Sequence, residues 1–225
     1  MKLSSIKSKY QSSFQWSSKA SLQGSVRLVR AIALASGAGI VPVLAQAGFF
    51  TMPHYIPQDQ YTLGLEPEVM FDRGGSFGMN LRYTHGMSES SNLTGILGTG
   101  SGARGFRLGG AMTFDVFPDA GKQPGVGFGG QALLVQRSAG TTMEITGFAY
   151  AHKNFTVTSD WIKAAEPFVA IPLGLALGGG RYQAITSLSM GSIFVHNPHL
   201  RSVLELTVGL ISADTGISGG ISYYP

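Results

Sequence analysis

From position 61 to the end, the chain alternates between large apolar and small or polar residues. In 61–71 the odd positions are Tyr61, Leu63, Leu65, Pro67, Val69 and Phe71, and the even ones are Thr62, Gly64, Glu66, Glu68 and Met70. Phe77, Met79, Leu81 and Tyr83 alternate with Gly78, Asn80, Arg82 and Thr84. Phe106, Leu108, Gly110, Met112, Phe114 and Val116 alternate with Arg107, Gly109, Ala111, Thr113 and Asp115. Successive side chains of a strand point to opposite faces, so each segment has one greasy face and one polar or small one. Less regular runs at 92–99, 126–136, 143–150, 167–177, 182–195, 202–211 and 217–224 continue the series. Turn-forming clusters separate them: 72–75, 118–121, 178–180, 196–198 and 213–216. The pattern predicts ten strands of about nine to eleven residues, the length that crosses a bilayer at a tilt. Eight or twelve stay open, because the long connection 151–165 contains Phe155, Thr156 and Val157 and then Trp161 and Ile162.

A soluble sandwich would bury the greasy faces, whereas a membrane barrel turns them outward and keeps the polar faces in its lumen. Three features select the barrel. The greasy faces end in aromatics (Tyr61 and Phe71, Phe77 and Tyr83, Phe106 and Phe114), as interfacial girdles require. The opposite faces carry Gly, Ala, Ser and Thr rather than the Lys and Glu of a water-facing sheet. The third feature is an export leader. Residues 1–30 are basic and Ser-rich, 31–44 are apolar until Pro42, and Ala45, Gln46 and Ala47 follow before Gly48. That is the order of a secretory signal peptide. The expected organisation is a signal peptide at 1–47, a periplasmic lead-in at 48–60 and an all-β, antiparallel transmembrane barrel at 61–225. Both ends of the mature chain then lie on one side of a bacterial outer membrane.

Charge has to be read in two parts. The formal net charge is +4, but Lys2, Lys7, Lys9, Lys19, Arg27 and Arg30 precede the first acid, Asp59. The remaining ten bases face all 12 acids, so the basicity belongs to the leader and marks no nucleic-acid surface. Glycine is abundant, at 32 of 225 residues, and charged residues make up only 12%. With no cysteine there is neither a disulfide framework nor a thiolate metal site.

Catalytic, cofactor and metal chemistry find little support in the residues. Gly100, Gly102 and Gly105 have the spacing of a dinucleotide loop, but a strand follows them where such a site needs a helix. His196 and His199 sit on a proline turn without a third ligand nearby, so no metal site is expected. No histidine has a serine two residues later, the pair carried by lipid A deacylases of this size. A Ser-His-acid site assembled from distant residues stays open, since such sites are defined by geometry. The candidate functional residues are the luminal charges Glu66, Glu68, Arg82, Arg107, Asp115, Glu144 and Glu205. They form either a charged filter or a plug of paired charges, and the narrow lumen of about ten strands favours the plug. If Phe71 and Phe77 face each other across the first turn, Arg82 lies opposite Glu66 and Asn80 opposite Glu68.

The last strand, 217–225, looks like the terminal signal read by outer-membrane assembly machinery: Ser218, Gly220 and Tyr223 fall in register, Tyr224 adds a second ring, and Pro225 stands in place of a final aromatic. With the alternation of 58–225, this ending resembles small outer-membrane β-barrel proteins of the opacity and attachment type. The resemblance names an architecture and hardly an activity. The expected protein is a monomer in contact with outer-membrane lipids, lipopolysaccharide and, during insertion, the barrel-assembly machinery, with a structural, surface-interaction or adhesive role and no cofactor or catalysis. A narrow channel for small solutes or lipophiles and a lipid-modifying enzyme are the alternatives.

Overall fold

The computed structural model describes residues 56–72, 75–102, 105–137 and 140–225. The expected signal peptide and most of the lead-in lie outside these residues. Ten long strands appear where the alternation places them: β1 (Tyr61–Met70), β2 (Ser76–Ser88), β3 (Ser91–Gly100), β4 (Arg107–Phe117), β5 (Gly125–Arg137) and β6 (Gly140–His152), then β8 (Ala164–Gly178), β9 (Arg181–Asn197), β10 (Leu200–Ile211) and β11 (Gly216–Tyr223). The doubtful connection holds only a two-residue strand, β7 (Phe155–Thr156), which pairs with the start of β8. No tenth strand is displaced.

Each long strand pairs antiparallel with its neighbours, β1 pairs with β11, and β6 pairs with β8, so the sheet closes on itself. Closure leaves no edge exposed to lipid, where an unpaired backbone group would cost several kcal/mol (roughly). The stagger follows from the registers. Following opposed residues from Glu66 through β2 to β6 arrives at Gly178 on β8, whereas going through β11, β10 and β9 arrives at Glu166. The two arrivals are twelve residues apart, which is the shear of the barrel. With strands ~4.8 Å apart and ~3.3 Å of rise per residue, this shear gives a tilt of about 40° and a backbone radius of about 10 Å.

The faces are inverted relative to a soluble protein. Outward positions of β1 and β2 (Leu63, Leu65, Leu81, Tyr83) are exposed, whereas the inward Thr62, Glu66, Asn80 and Arg82 are buried. Outward aromatics collect toward the two rims. Tyr61 stacks on Tyr83 and Phe114 on Phe128 toward one rim, while Phe71, Phe77 and Phe106 stand near the other. An apolar belt between aromatic girdles around a polar interior is the arrangement of a transmembrane barrel.

The rims differ. The one carrying the first described residues and the C-terminus, here the terminal rim, holds the two longest connections, 118–124 and 153–163. The far rim has connections of two to six residues, including a tight turn whose Gly179 and Gly180 adopt φ of 58° and 74°. Such left-handed pairs match the twist of a hairpin and suit glycine. The long terminal-rim loops are tied together: Lys153 bonds Asp119 and donates to the carbonyls of Gly121 (2.8 Å) and Gln123 (3.1 Å), and the Asn154 amide donates to Asp119 at 2.6 Å.

Two outcomes test this architecture. Leu81→Arg, in the middle of the apolar belt, should destabilise the barrel by about 2–4 kcal/mol in lipid vesicles, and inward Thr84→Ser by well under half that. Equal costs in denaturant titrations would contradict the inverted faces. The loop clip should respond to acid. The Asn154 amide and Lys153 hold the Asp119 carboxyl below its ordinary value of 3.8. A lowered folded-state pKa contributes order that is complete above the ordinary value and fades as pH falls through the lowered one. Amide exchange at Asn154 should therefore accelerate, relative to barrel amides, only in that acidic window.

Candidate functional site

The lumen collects the charges that alternation points inward. At its centre Arg82 grips Glu66 with both arms of its guanidinium, Nε to Oε1 at 2.9 Å and Nη2 to Oε2 at 3.1 Å. Toward the far rim, Arg107 Nη2 lies 2.8 Å from Glu68 Oε1, with side chains 2% and 1% exposed. Asn80 links this pair: its Oδ1 accepts from Arg107 Nη2 (2.7 Å) and Nε (3.2 Å), and its Nδ2 donates to Glu68 Oε2 at 3.2 Å. Two arginines and two glutamates are thus neutralised in two neighbouring groups, the Arg82–Glu66 pair and the Arg107–Glu68–Asn80 cluster. Forked Arg–carboxylate bonds are the strong kind, which offsets the cost of holding charge away from water.

The register of the first hairpin differs from the expected one. Glu66 lies opposite Asn80, Gly64 opposite Arg82 and Val69 opposite Phe77, a shift of two residues. Phe71 leaves the hairpin ladder and donates its amide to the Thr215 carbonyl of the neighbouring β10–β11 turn. A two-residue shift keeps every side chain on its face, so the charged partners still meet. They meet along the diagonal, which long side chains span. Glycines clear that diagonal: a Cβ on Gly78 would stand 2.3 Å from Glu68 Oε1, and one on Gly98 2.3 Å from Asn80 Oδ1 and 2.8 Å from the Arg107 guanidinium.

The other expected luminal residues are distributed. Glu205 is fully buried on β10, within electrostatic range of Glu66 and Arg82, and its Oε1 accepts from Thr207 Oγ1 at 3.0 Å. Glu144 is buried on β6. Asp115 stands apart toward the terminal rim, where the Tyr150 hydroxyl bonds it. Three further residues, His152, Glu166 and Arg201, gather near that rim outside the expected set. His152 Nδ1 lies 2.6 Å from Glu166 Oε1, and the Arg201 guanidinium lies 4.1 Å above the Tyr224 ring. Glu166 and Arg201 each sit one position before a strand start drawn from the alternation, so their inward direction went unread. Between these charges and the central network, Phe148, Tyr150, Phe168, Ala170, Ile193 and Val203 form an apolar cluster inside the lumen.

The residues of the C-terminal pattern divide between faces. Ser218 and Gly220 point inward, and Glu66 Cγ passes 2.9 Å from where a Gly220 Cβ would be. Tyr223 is exposed on the outer wall and stacks on His199, whereas Tyr224 is buried. His199 holds the chain end: its Nδ1 bonds the Tyr224 carbonyl at 2.7 Å and its carbonyl accepts the Tyr224 amide at 2.9 Å. His196 bonds the Trp161 carbonyl and Ser202, so the two histidines of the proline turn serve different partners. Among the described residues no group of three His, Asp or Glu is arranged to hold a metal.

No protein-family model and no curated protein matches the chain. Among solved structures it is similar to a de novo designed transmembrane β-barrel, at 11% identity and TM-score 0.38 over 76% of this chain and all of the other. It is also similar to a bacterial polysaccharide outer-membrane secretin, at 9% identity and TM-score 0.42, spanning 74% of this chain and 65% of that one. The barrel assignment rests on the closed ladder and the inverted faces.

The central Glu66–Arg82 pair should behave as a unit. Breaking a buried pair leaves a charge uncompensated, so Glu66→Gln and Arg82→Gln should each destabilise the refolded barrel by about 3–5 kcal/mol. The double variant should recover part of that loss. Additive costs in the double-mutant cycle would show the pair to be uncoupled. Gly98→Ala should cost about 1–3 kcal/mol through overpacking against Asn80 and Arg107, and Gly95→Ala, with open space around its Cβ position, much less.

Proposed function

We propose that the protein is a monomeric outer-membrane β-barrel of a Gram-negative envelope, a structural or surface component whose lumen is shut by its own side chains. One observation carries this reading: luminal charges at the centre of the barrel are almost inaccessible to water. A conducting pore would wet Glu68, Arg107, Glu66 and Arg82, yet each is under a tenth exposed. The apolar cluster around Phe148 and Phe168 supports the same reading toward the terminal rim. Small barrels are filled in this way, whereas aqueous porins use 16–18 strands.

In this reading the terminal rim faces the periplasm and the far rim the exterior. The far-rim connections, none longer than six residues, suit a compact surface better than an extended adhesive one. The partners are outer-membrane lipids along the apolar belt, lipopolysaccharide at the outer rim and the assembly machinery at β11. The expected outcomes are recovery in the outer-membrane fraction, heat-modifiable migration and no stable unit conductance in planar bilayers. Stable steps would replace the plug with a narrow channel, and recovery in the soluble periplasm without detergent would remove the barrel from the membrane. Deleting residues 223–225 removes the stack on His199 and should lower assembly while leaving export intact.

A further inference from the structure

Outside the lumen, the structure places a serine and a histidine together on the lipid-facing wall. Residues 195 and 201 are opposed, and so are 197 and 200, which leaves His196 as the extra residue of a β-bulge near the end of β9. Bulges re-aim side chains, and they recur at barrel rims and beside active sites. Here the bulge brings His196 Nε2 to 2.8 Å from Ser202 Oγ on β10. Its other nitrogen, Nδ1, lies 2.9 Å from the carbonyl oxygen of Trp161 in the connection 153–163. A carbonyl only accepts, so Nδ1 carries the proton and donates it to Trp161. Nε2 is then the lone-pair nitrogen, and the bond to it is donated by the Ser202 hydroxyl. A serine hydroxyl donating to an imidazole whose second nitrogen is fixed by an acceptor is the arrangement of an activated nucleophile and its base.

The surroundings point to the substrate. Ser202 is directly opposed by Phe194 on β9 and by Ile221 on β11, and Ile221 is exposed on the apolar belt. The pair lies beside the terminal rim, at the depth where acyl chains meet headgroups. Trp161, 82% exposed, stands on the loop above it as an amphipathic ring suited to that interface. Lys163, whose amide is tied to the Val195 carbonyl, adds an exposed ammonium to the same loop. An ester carbonyl between an apolar chain and an anionic phosphate fits these three features.

We propose that Ser202 and His196 form an acyl-ester hydrolase site on the outer wall, acting on glycerophospholipids of the surrounding leaflet. The proposal rests on the membrane-barrel reading but not on whether the lumen conducts. Ser202 Oγ attacks the ester carbonyl as its proton passes to His196 Nε2. The ester C–O bond breaks, and the imidazolium gives that proton to the departing lysophospholipid alkoxide. Water, deprotonated by the same nitrogen, then attacks the acyl-serine and releases a fatty acid, restoring the Ser202 hydroxyl. No cofactor or oxidant is consumed.

The test uses full-length protein in vesicles of phosphatidylethanolamine and phosphatidylglycerol, with released fatty acid measured by mass spectrometry, and a fluorophosphonate probe followed by peptide mapping. The expected results are fatty-acid release and labelling at Ser202. Ser202→Ala and His196→Gln should each lower release at least 100-fold while keeping heat-modifiable migration. Ser192→Ala, a neighbouring serine on β9 outside this pair, should leave release unchanged. Should either variant fail to fold, the label position on the unaltered protein decides. Labelling elsewhere, or no labelling with no release, would overturn the site. Release from lipopolysaccharide alone would overturn the substrate class. Failure of the barrel reading would show separately, as a protein soluble without detergent.

Discussion

Everything in this molecule depends on the pairing of β6 with β8. Without it the chain would be an open sheet of ten strands whose outer two carried bare amides and carbonyls into hydrocarbon. With it every long strand has two long partners, and the stagger of twelve residues sets both the tilt and the bore. The bore then constrains the sequence. At a backbone radius near 10 Å (about the width that ten tilted strands impose), inward side chains meet across the lumen as well as along it. Large inward residues therefore need glycines opposite them, and inward charges need partners within reach.

The luminal network shows how this constraint resolves charge. Tilt brings side chains of adjacent strands together on the diagonal, so Arg82 meets Glu66 rather than the directly opposed Gly64. Asn80 matters because it is neutral and can both donate and accept. It binds an arginine with its oxygen and a glutamate with its nitrogen, joining β1, β2 and β4 without adding charge. A protein core normally specifies its packing with apolar shape. Here most of the outside is an apolar belt, and the packing is specified by a polar interior.

The sequence makes the faces legible and leaves the register open, for one reason. A period of two states which way each side chain points and nothing more, so a hairpin shifted by two residues has an identical pattern. All ten strands lie where alternation is visible, yet the first hairpin is set two residues from the arrangement that matching aromatics suggest. The turn chemistry decides it, through Phe71 donating to Thr215, and that partner is 144 residues away in the chain. Strand ends were hidden where contrast is lost, as in Gly140, Thr141 and Thr142 at the start of β6. Glu166 and Arg201 fell into such ends. The His196–Ser202 contact was illegible for a different reason: it depends on a bulge, which breaks the regularity that the eye follows.

The glycines beneath the ion pairs carry an evolutionary consequence. Gly78 and Gly98 are empty because the side chains of Glu68, Asn80 and Arg107 occupy the space in front of them. A lineage could therefore exchange a glycine for a larger residue only after shortening or relocating the charged partner across the strand. Such changes would be inherited in sets rather than singly. Across relatives of this chain, the imprint of the plug would be correlated gain and loss among these positions, while belt residues such as Leu65 and Leu81 drift freely among apolar side chains.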